Sequence, residues 1–577
     1  MSQVSTAAAV PRVEARAIGF DPSRILLLAC AALLCVLVFL PVGWLIYYAF
    51  TDRSGAPSLE SFEQFFSSPV FLDPLATTLL ISVSVSIASC AVAAPIGWLI
   101  ARTDMPLRRT VRTLVMASLV TPPFLGAIAW ELLAAPNSGL LNQYFRLLTG
   151  ASPDEHLFNI YSIPGLTFVI SCYTFPYVFI LVANALDHVP GDLEDASAVL
   201  GGRIWDTARR ITIPLAMPAL LAGALVAFLQ AMTLFGSPAI LAMPAGFHTL
   251  TTKIWSLFQY PPKLNLAAAA SLPLLVLTVV LLRAQQAILG RRGYSVVGGK
   301  GTSPRLVRLG AYRWAALGLC FVVLLNPVFL PYAALLKAAF SRFPTQPLTL
   351  ASLTLHNVNF VFFELSSTRL ALWNTFLLGV LTATIGTTMA LVIGYVTVRQ
   401  AVPGHRILGF LATAPVAIPA LVLGVGLFLA YTRPPLVLYG TLWILLLAYL
   451  TIQLPAAFQQ LQAAFRSVHP DLEEASRILG ATRLQALRHV TAPLLRSGVI
   501  ASWCFIFIGV IRELSAAIML FTADTKVIAV VIYDLNESGD LGAISVLGLT
   551  MLIITFVIVI LANRLPGLGG GVRLRDA

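Results

Sequence analysis

Asp192-Leu-Glu-Asp-Ala-Ser-Ala-Val-Leu-Gly201 returns later in the chain as Asp471-Leu-Glu-Glu-Ala-Ser-Arg-Ile-Leu-Gly480, at an offset of 471 − 192 = 279 residues. The correspondence runs on through Arg209 and Arg488, Thr212 and Thr491, and Pro214-Leu215 and Pro493-Leu494. Upstream it holds at a second offset, 394 − 97 = 297, through Gly97 and Gly394, Arg102 and Arg399, Pro106 and Pro403, and Pro122 and Pro419. A period this long marks two copies of one architectural unit. The change of offset puts 297 − 279 = 18 extra residues in the first copy. The polar stretch from Asn142 to Asn159 is the expected place of that insertion, on the outer face.

The medium of both copies follows from composition. Of 577 residues, 58% are hydrophobic and 11% charged, and the mean hydropathy is +0.87. A water-soluble globule has no interior large enough to hide that surface, so the chain belongs in a bilayer. The net charge of +12 does not point to nucleic acid, because the basic residues stand singly between apolar runs and suit anionic lipid at one membrane face. Six cysteines (Cys30, Cys35, Cys90, Cys172, Cys320 and Cys504) lie in apolar stretches without CxxC spacing, and the seven histidines show no metal-ligand spacing. Neither a disulfide framework nor a metal site is expected.

A crossing helix needs about 20 apolar residues, since every backbone amide must find its partner within the segment. Twelve runs approach that length: 25–50, 74–100, 113–133, 160–186, 211–242 and 264–286 in the first copy, and 314–338, 371–398, 407–432, 436–463, 493–521 and 541–562 in the second. The expected fold is all-α, a polytopic membrane protein of two parallel six-helix repeats: residues 1–290, a linker at 291–313 rich in Gly, Ser and Arg, and residues 314–577. Arginines cluster after the even-numbered spans, among them Arg102, Arg203, Arg399 and Arg466, whereas the loop 51–73 holds Asp52, Glu60, Glu63 and Asp73 against a single Arg53. The positive-inside rule then predicts that both termini are cytoplasmic.

Within each repeated segment the residue order predicts a short amphipathic helix. Asp192 or Asp471 can cap its start, and Asp195 or Glu474 puts negative charge into its first turn. Leu193, Ala196 and Leu200 share one face, as do Leu472, Ala475 and Leu479. Gly201 or Gly480 can end the helix in the left-handed region, and Pro214 or Pro493 opens the next span. The small pairs Ala196-Ser197 and Ala475-Ser476 admit a close partner. A single such helix would be read as lying on lipid; the duplicated Gly and Pro spacing favours a docking role.

The two segments Asp195-Ala196-Ser197-x3-Gly201-x9-Ile211-x-Ile213-Pro214 and Glu474-Ala475-Ser476-x3-Gly480-x9-Val490-x-Ala492-Pro493 resemble the Glu-Ala-Ala-x3-Gly-x9-Ile-x-Leu-Pro loop of ABC importer permeases. They depart from it in Asp195, in the two serines and in Ala492. The resemblance, to the type I form of these permeases, implies coupling loops at 190–214 and 469–493. Glu194, Asp195, Ala196, Ser197 and Gly201, with Glu473, Glu474, Ala475, Ser476 and Gly480, would contact two copies of a separate ATP-binding subunit. That subunit would carry ATP and Mg, and this chain would carry no cofactor and catalyse nothing itself. Gly298-Gly299-Lys300-Gly301-Thr302 lacks the spacing of a phosphate-binding loop. A periplasmic or lipid-anchored binding protein would deliver the cargo in the bacterial inner membrane. Phe235-Gly-Ser-Pro-Ala-Ile-Leu241 and Arg512-Glu-Leu-Ser-Ala-Ala-Ile-Met-Leu520 look like the ferric-iron branch, which is similar to permeases for 2-aminoethylphosphonate, thiamine, polyamines and sugar phosphates.

Charges inside spans are costly and therefore mark candidate substrate-pathway residues. Arg512 and Glu513 stand about 22 Å along the eleventh span from Ser497 at the helical rise, and Glu131 ends the third. An ion-gradient-driven transporter would carry buried carboxylates or histidines on several core helices, and the second, fifth, eighth and ninth spans have none. A membrane enzyme would need paired catalytic groups at one depth, which the sequence does not supply.

Overall fold

The computed structural model of the protein describes residues 22–290, 306–346, 349–400 and 404–564. Among them the backbone is helical, with no pairing of strands beyond three isolated bridges. Ten helices are long and apolar enough to cross a membrane, and two bent helix pairs bring the number to 12 if each pair counts as one span. The termini and residues 291–305, which include most of the expected linker and the Gly298–Thr302 stretch, lie outside the described residues.

The bent pairs correct the expectation of continuous third and ninth spans. Arg108–Val120 meets Pro123–Ala134 at 99°, and His405–Ala417 meets Ala420–Tyr431 at 105°. Proline is the cause. It lacks an N–H, and it drives the preceding residue out of the helical region: Thr121 has ψ 124° before Pro122, and Ile418 has ψ 112° before Pro419. The broken backbone is tolerated because the second arms are enclosed by protein. Leu125, Ala127, Ile128, Leu421, Val425 and Leu427 are all fully buried in the central core. The fifth and eleventh spans also stop early, at Thr233 and Ile511, and short buried helices follow at Gly236–Leu241 and Ala517–Leu520. Gly236 sits where the halves meet: a Cβ there would lie 2.6 Å from Phe124 Cβ and 3.2 Å from Leu514 Cδ2.

The offsets place the insertion in space. The bent pairs begin 405 − 108 = 297 residues apart and the next spans, Ile163–Asp187 and Leu442–Ser467, 442 − 163 = 279 apart. The extra residues therefore lie between Ala134 and Ile163, at the end opposite the repeated motif, where they form the helix Leu140–Thr149 and its return loop. Buried Asn142 holds that loop. Its Nδ2 donates to the carbonyls of Ala135 (2.9 Å) and Phe158 (2.8 Å), and its Oδ1 accepts from the amides of Leu157 and Phe158, both at 2.9 Å.

Each half's first span leans onto the other half, an arrangement the sequence did not reveal. The helix Pro22–Ala49 packs on the arm Ala420–Tyr431, where Gly426 is close enough that a Cβ would lie 2.7 Å from the Pro41 carbonyl oxygen. In the second half, Tyr312–Ala339 packs on Pro123–Ala134. Trp130 donates its indole N–H to the Asn326 carbonyl at 3.2 Å. That carbonyl is free because the helix widens to a π turn over Leu325–Phe329, and the residue five positions on is Pro331, which has no N–H to give.

Both first spans end in carbonyls that an asparagine caps, but from different places. Asn265, second residue of the helix Leu264–Gly290, donates to the carbonyls of Tyr48, Thr51 and Asp52 at 3.1, 2.7 and 3.3 Å. The matching second residue of Leu541–Arg564 is Gly542, and Asn357 fills the space, donating to Ala338, Ala339 and Ser341 at 3.2, 3.2 and 3.0 Å. A Cβ on Gly542 would stand 2.7 Å from Asn357 Nδ2. Asn357→Ala should therefore cost about 1–3 kcal/mol in unpaired carbonyls, and Gly542→Asn should destabilise alone. Together they should restore stability by moving the cap to its first-half position, measured as thermal recovery of the full chain in detergent. Additive losses would refute the exchange.

Candidate functional site

The repeated motif folds alike in both copies. Gly191–Val199 and Asp471–Ile478 are helices that stand between long spans. The sequence reading made Asp192 and Asp471 the caps of these helices; instead both lie within the first turn, and the residue before the second helix is Pro470, which makes no side-chain cap bond. Gly201 and Gly480 do end the helices in the left-handed region, at φ +81° and +94°. The amides of Gly202 and Ala481 reach back to the carbonyls of Ser197 (2.8 Å) and Ser476 (3.2 Å), the longer bond of a Schellman turn. Beyond the turn, Ala208–Thr212 and Leu487–Thr491 are π-helical in both copies. Pro214 and Pro493 explain this, since each ring would collide with the carbonyl four residues back in a tighter helix.

Sequence reasoning counted Arg102 and Arg399 as loop charges. The structure buries Arg102 fully and Arg399 in large part. Arg102, fully buried at the end of Pro69–Arg102, lies 3.4 Å from Glu194 Oε1 and donates to the Val189 carbonyl at 2.9 Å. Arg399 bonds Glu473 Oε1 through Nε at 3.0 Å and Nη2 at 2.9 Å, and the Val468 carbonyl at 3.1 Å. The same Glu oxygens accept from Thr212 at 2.9 Å and Thr491 at 2.8 Å. A four-part lock, Arg to Glu to Thr with a valine carbonyl, thus ties each motif helix to the second or eighth span and to the start of the fifth or eleventh. The locks are unequal, because Nε and Nη1 of Arg102 have no partner among the described residues. The segment that enters the second half is clipped beside the first lock: Val307 donates to the Arg102 carbonyl at 2.8 Å, and Asp104 Oδ1 accepts from Leu309 N–H at 2.8 Å.

Glu194 and Glu473 therefore face inward, while the opposite faces of the helices are bare. Asp195, Ala196, Glu474 and Ala475 are exposed, and Ser197 is half-buried with its hydroxyl 2.7 Å from that of Thr207. Val199 and Leu200 are each 87% exposed, and Ile478 and Leu479 are 85% and 89% exposed. Four large apolar side chains are thus turned outward in matched pairs.

The three candidate pathway residues are not brought together. The eleventh span ends at Ile511, so Arg512 and Glu513 occupy the break after it, not the helix. Arg512 Nη1 donates to the Leu119 carbonyl of the other half, beside the 99° bend. Glu513 accepts the Ala516 amide at 2.8 Å, and Glu131 accepts the Tyr161 hydroxyl at 2.7 Å. No ion pair among the described residues involves any of the three. Their observed work is to satisfy backbone and side-chain groups where spans break.

Comparison with known proteins matches this architecture. Residues 93–293 and 383–566 each match the family of binding-protein-dependent transport system inner membrane components. The chain is 26% identical over 455 residues to the ferric transport system permease protein FbpB of Actinobacillus pleuropneumoniae, covering 78% of this chain and 64% of that protein. It is 21% identical over 536 residues to the Fe(3+)-transport system permease protein FbpB 2 of Haemophilus influenzae, covering 92% and 97%. A match of 28% over 151 residues, 26% of this chain and 57% of the relative, joins it to a putative 2-aminoethylphosphonate transport system permease protein PhnV of Salmonella paratyphi A. The chain is a multi-pass inner-membrane protein that belongs to the binding-protein-dependent permease family, with two copies of the family domain in one polypeptide.

Proposed function

We propose that this chain supplies both halves of the translocation pathway of an ATP-driven importer, with ferric iron as its cargo. The observation that carries the reading is the pair of motif helices, each exposing apolar side chains and each anchored by an Arg–Glu lock, buried in the first half and largely buried in the second, to spans on either side. Two copies of an ATP-binding subunit, holding ATP and Mg, receive the helices in their clefts on the cytoplasmic side, where both termini also lie. Closure of the subunits pushes the helices. The locks pass that movement to the second and fifth spans of one half and the eighth and eleventh of the other. The halves rock apart outward to take cargo from a binding protein, and hydrolysis resets them. Ferric iron is chosen from the likeness to the two FbpB proteins.

Two substitutions test the docking role. Gly480→Pro removes the left-handed C-terminus of the second motif helix, and Glu474→Arg reverses a charge on its bare face. Each is expected to cut nucleotide-driven uptake and recovery of the ATP-binding subunit while the chain still inserts. Uptake and complex recovery both at the unsubstituted level would contradict the proposal.

A further inference from the structure

At the end opposite the motif helices the two halves leave a cavity of about 460 Å³ between them. Trp255 enters its wall from the first half, and Phe428, Tyr439, Tyr533, Asp534 and Glu537 enter from the second. The rings brace one another. Phe428 and Tyr439 meet edge to face at 5.0 Å between centroids, and Trp255 and Tyr533 do so at 5.9 Å. Fully buried Phe235 backs both Trp255 and Tyr533, at 6.0 and 6.1 Å. Rings held in this way form a braced aromatic wall, and the faces of such rings attract cations.

The charged side chains in the cavity lining are both acidic. Asp534 and Glu537 lie three residues apart on the helix Ile528–Ser538 and so share a face. The protein itself shows what such a wall attracts: the Lys526 ammonium stands 2.6 Å from Asp534 Oδ2 and 6.0 Å from the centroid of Phe521, which also lines the cavity. Both members of that pair are partly open to solvent, so it is weakly held and open to exchange. Among the described residues no three His, Cys, Asp or Glu side chains gather as a metal cage. The wall therefore suits a cation in passage better than one held permanently.

We propose that this seam cavity receives a positively charged cargo, with Asp534 and Glu537 as counter-charges, the aromatic rings as walls, and the cargo taking the place of Lys526 as the partner of Asp534. The inference rests on the importer reading above, in which the cargo is already a cation, and adds the place where that cargo is taken up. Ferric iron, the cargo named for the FbpB relatives, is a cation of this kind.

Terbium(III), a hard trivalent ion whose emission is sensitised by nearby indole and phenol rings, tests the site in the full chain reconstituted in zwitterionic lipid. Sensitised emission is expected on titration, and Asp534→Asn with Glu537→Gln should weaken binding at least about tenfold. Lys526→Ala should tighten it several-fold, a gain that misfolding cannot produce. Emission that is absent, or that none of these substitutions alters, overturns the proposal. Assembly of the unsubstituted chain with its ATP-binding subunit is measured in parallel. Its loss would sink the importer reading, whereas assembly without binding dependent on Asp534 and Glu537 would sink this inference alone.

Discussion

Arg399→Ala is expected to remove most nucleotide-driven uptake while leaving the chain in the membrane. The side chains of Arg399 and Glu473 are 11% and 14% exposed, and the arginine serves two acceptors, Glu473 and the Val468 carbonyl. Deleting one partner of a buried pair costs about 3–5 kcal/mol, because the remaining charge is left without compensation. That cost falls on the join between the eighth span and the second motif helix, not on the apolar spans that secure insertion. The helix would then move without pulling the half behind it, so ATP hydrolysis by the partner should persist while transport per ATP falls. Arg399→Lys should recover only part of the loss, since an ammonium cannot reproduce the two-pronged contact. Arg102→Ala is expected to be the milder change, because Arg102 makes a longer contact to Glu194 and leaves two of its nitrogens unpaired. Uptake and ATPase activity measured on one reconstituted complex check the set. Tight coupling retained in Arg399→Ala would show that the lock transmits nothing.

Gly426→Ala should be the most damaging single methyl addition at the contact between the first span and the other half. The added Cβ would meet the Pro41 carbonyl oxygen at 2.7 Å and the carbonyl carbon at 3.0 Å, which are backbone atoms of a helix and cannot rotate aside. Overpacking of this kind costs about 1–3 kcal/mol. Relief requires the helix Pro22–Ala49 to lift from the arm Ala420–Tyr431, which would also part Arg433 from the face of Tyr48, now 5.1 Å from its ring centroid. The expected result is a lower thermal midpoint in detergent, and weaker disulfide cross-linking between cysteines placed on the two helices. Unchanged cross-linking and stability would contradict the crossed arrangement of the first spans.

The sequence exposed the duplication, the helical class and the twin motif because these are written in local order: apolar runs of span length, and Gly and Pro at fixed spacing. It also placed the insertion, since two offsets bracket it. Long-range facts were harder to read. Pro122 and Pro419 were visible as a matched pair, yet apolar content alone made continuous spans of what proline bends by 99° and 105°. Arg102 and Arg399 were counted by charge and position, so their burial went unseen. A signal was present nonetheless: Arg102, Glu194 and Thr212 recur as Arg399, Glu473 and Thr491, and opposite charges repeated together at one span end and in the loop two spans later, on the same side, invite pairing. The crossing of the first spans left no comparable mark, because packing between apolar helices depends on shape complementarity that composition does not encode. The seam cavity was hidden for the same reason, being assembled from Trp255 and Asp534, residues far apart in the chain.

The account stands on an external motor acting through the two motif helices. Its most direct test is cargo uptake into sealed vesicles by the purified chain, with the binding protein outside and the ATP-binding subunit either present or omitted. Uptake is predicted only when that subunit and ATP are both supplied, with an imposed proton or sodium gradient making no substitute. Accumulation of cargo by the chain alone under such a gradient would contradict the account.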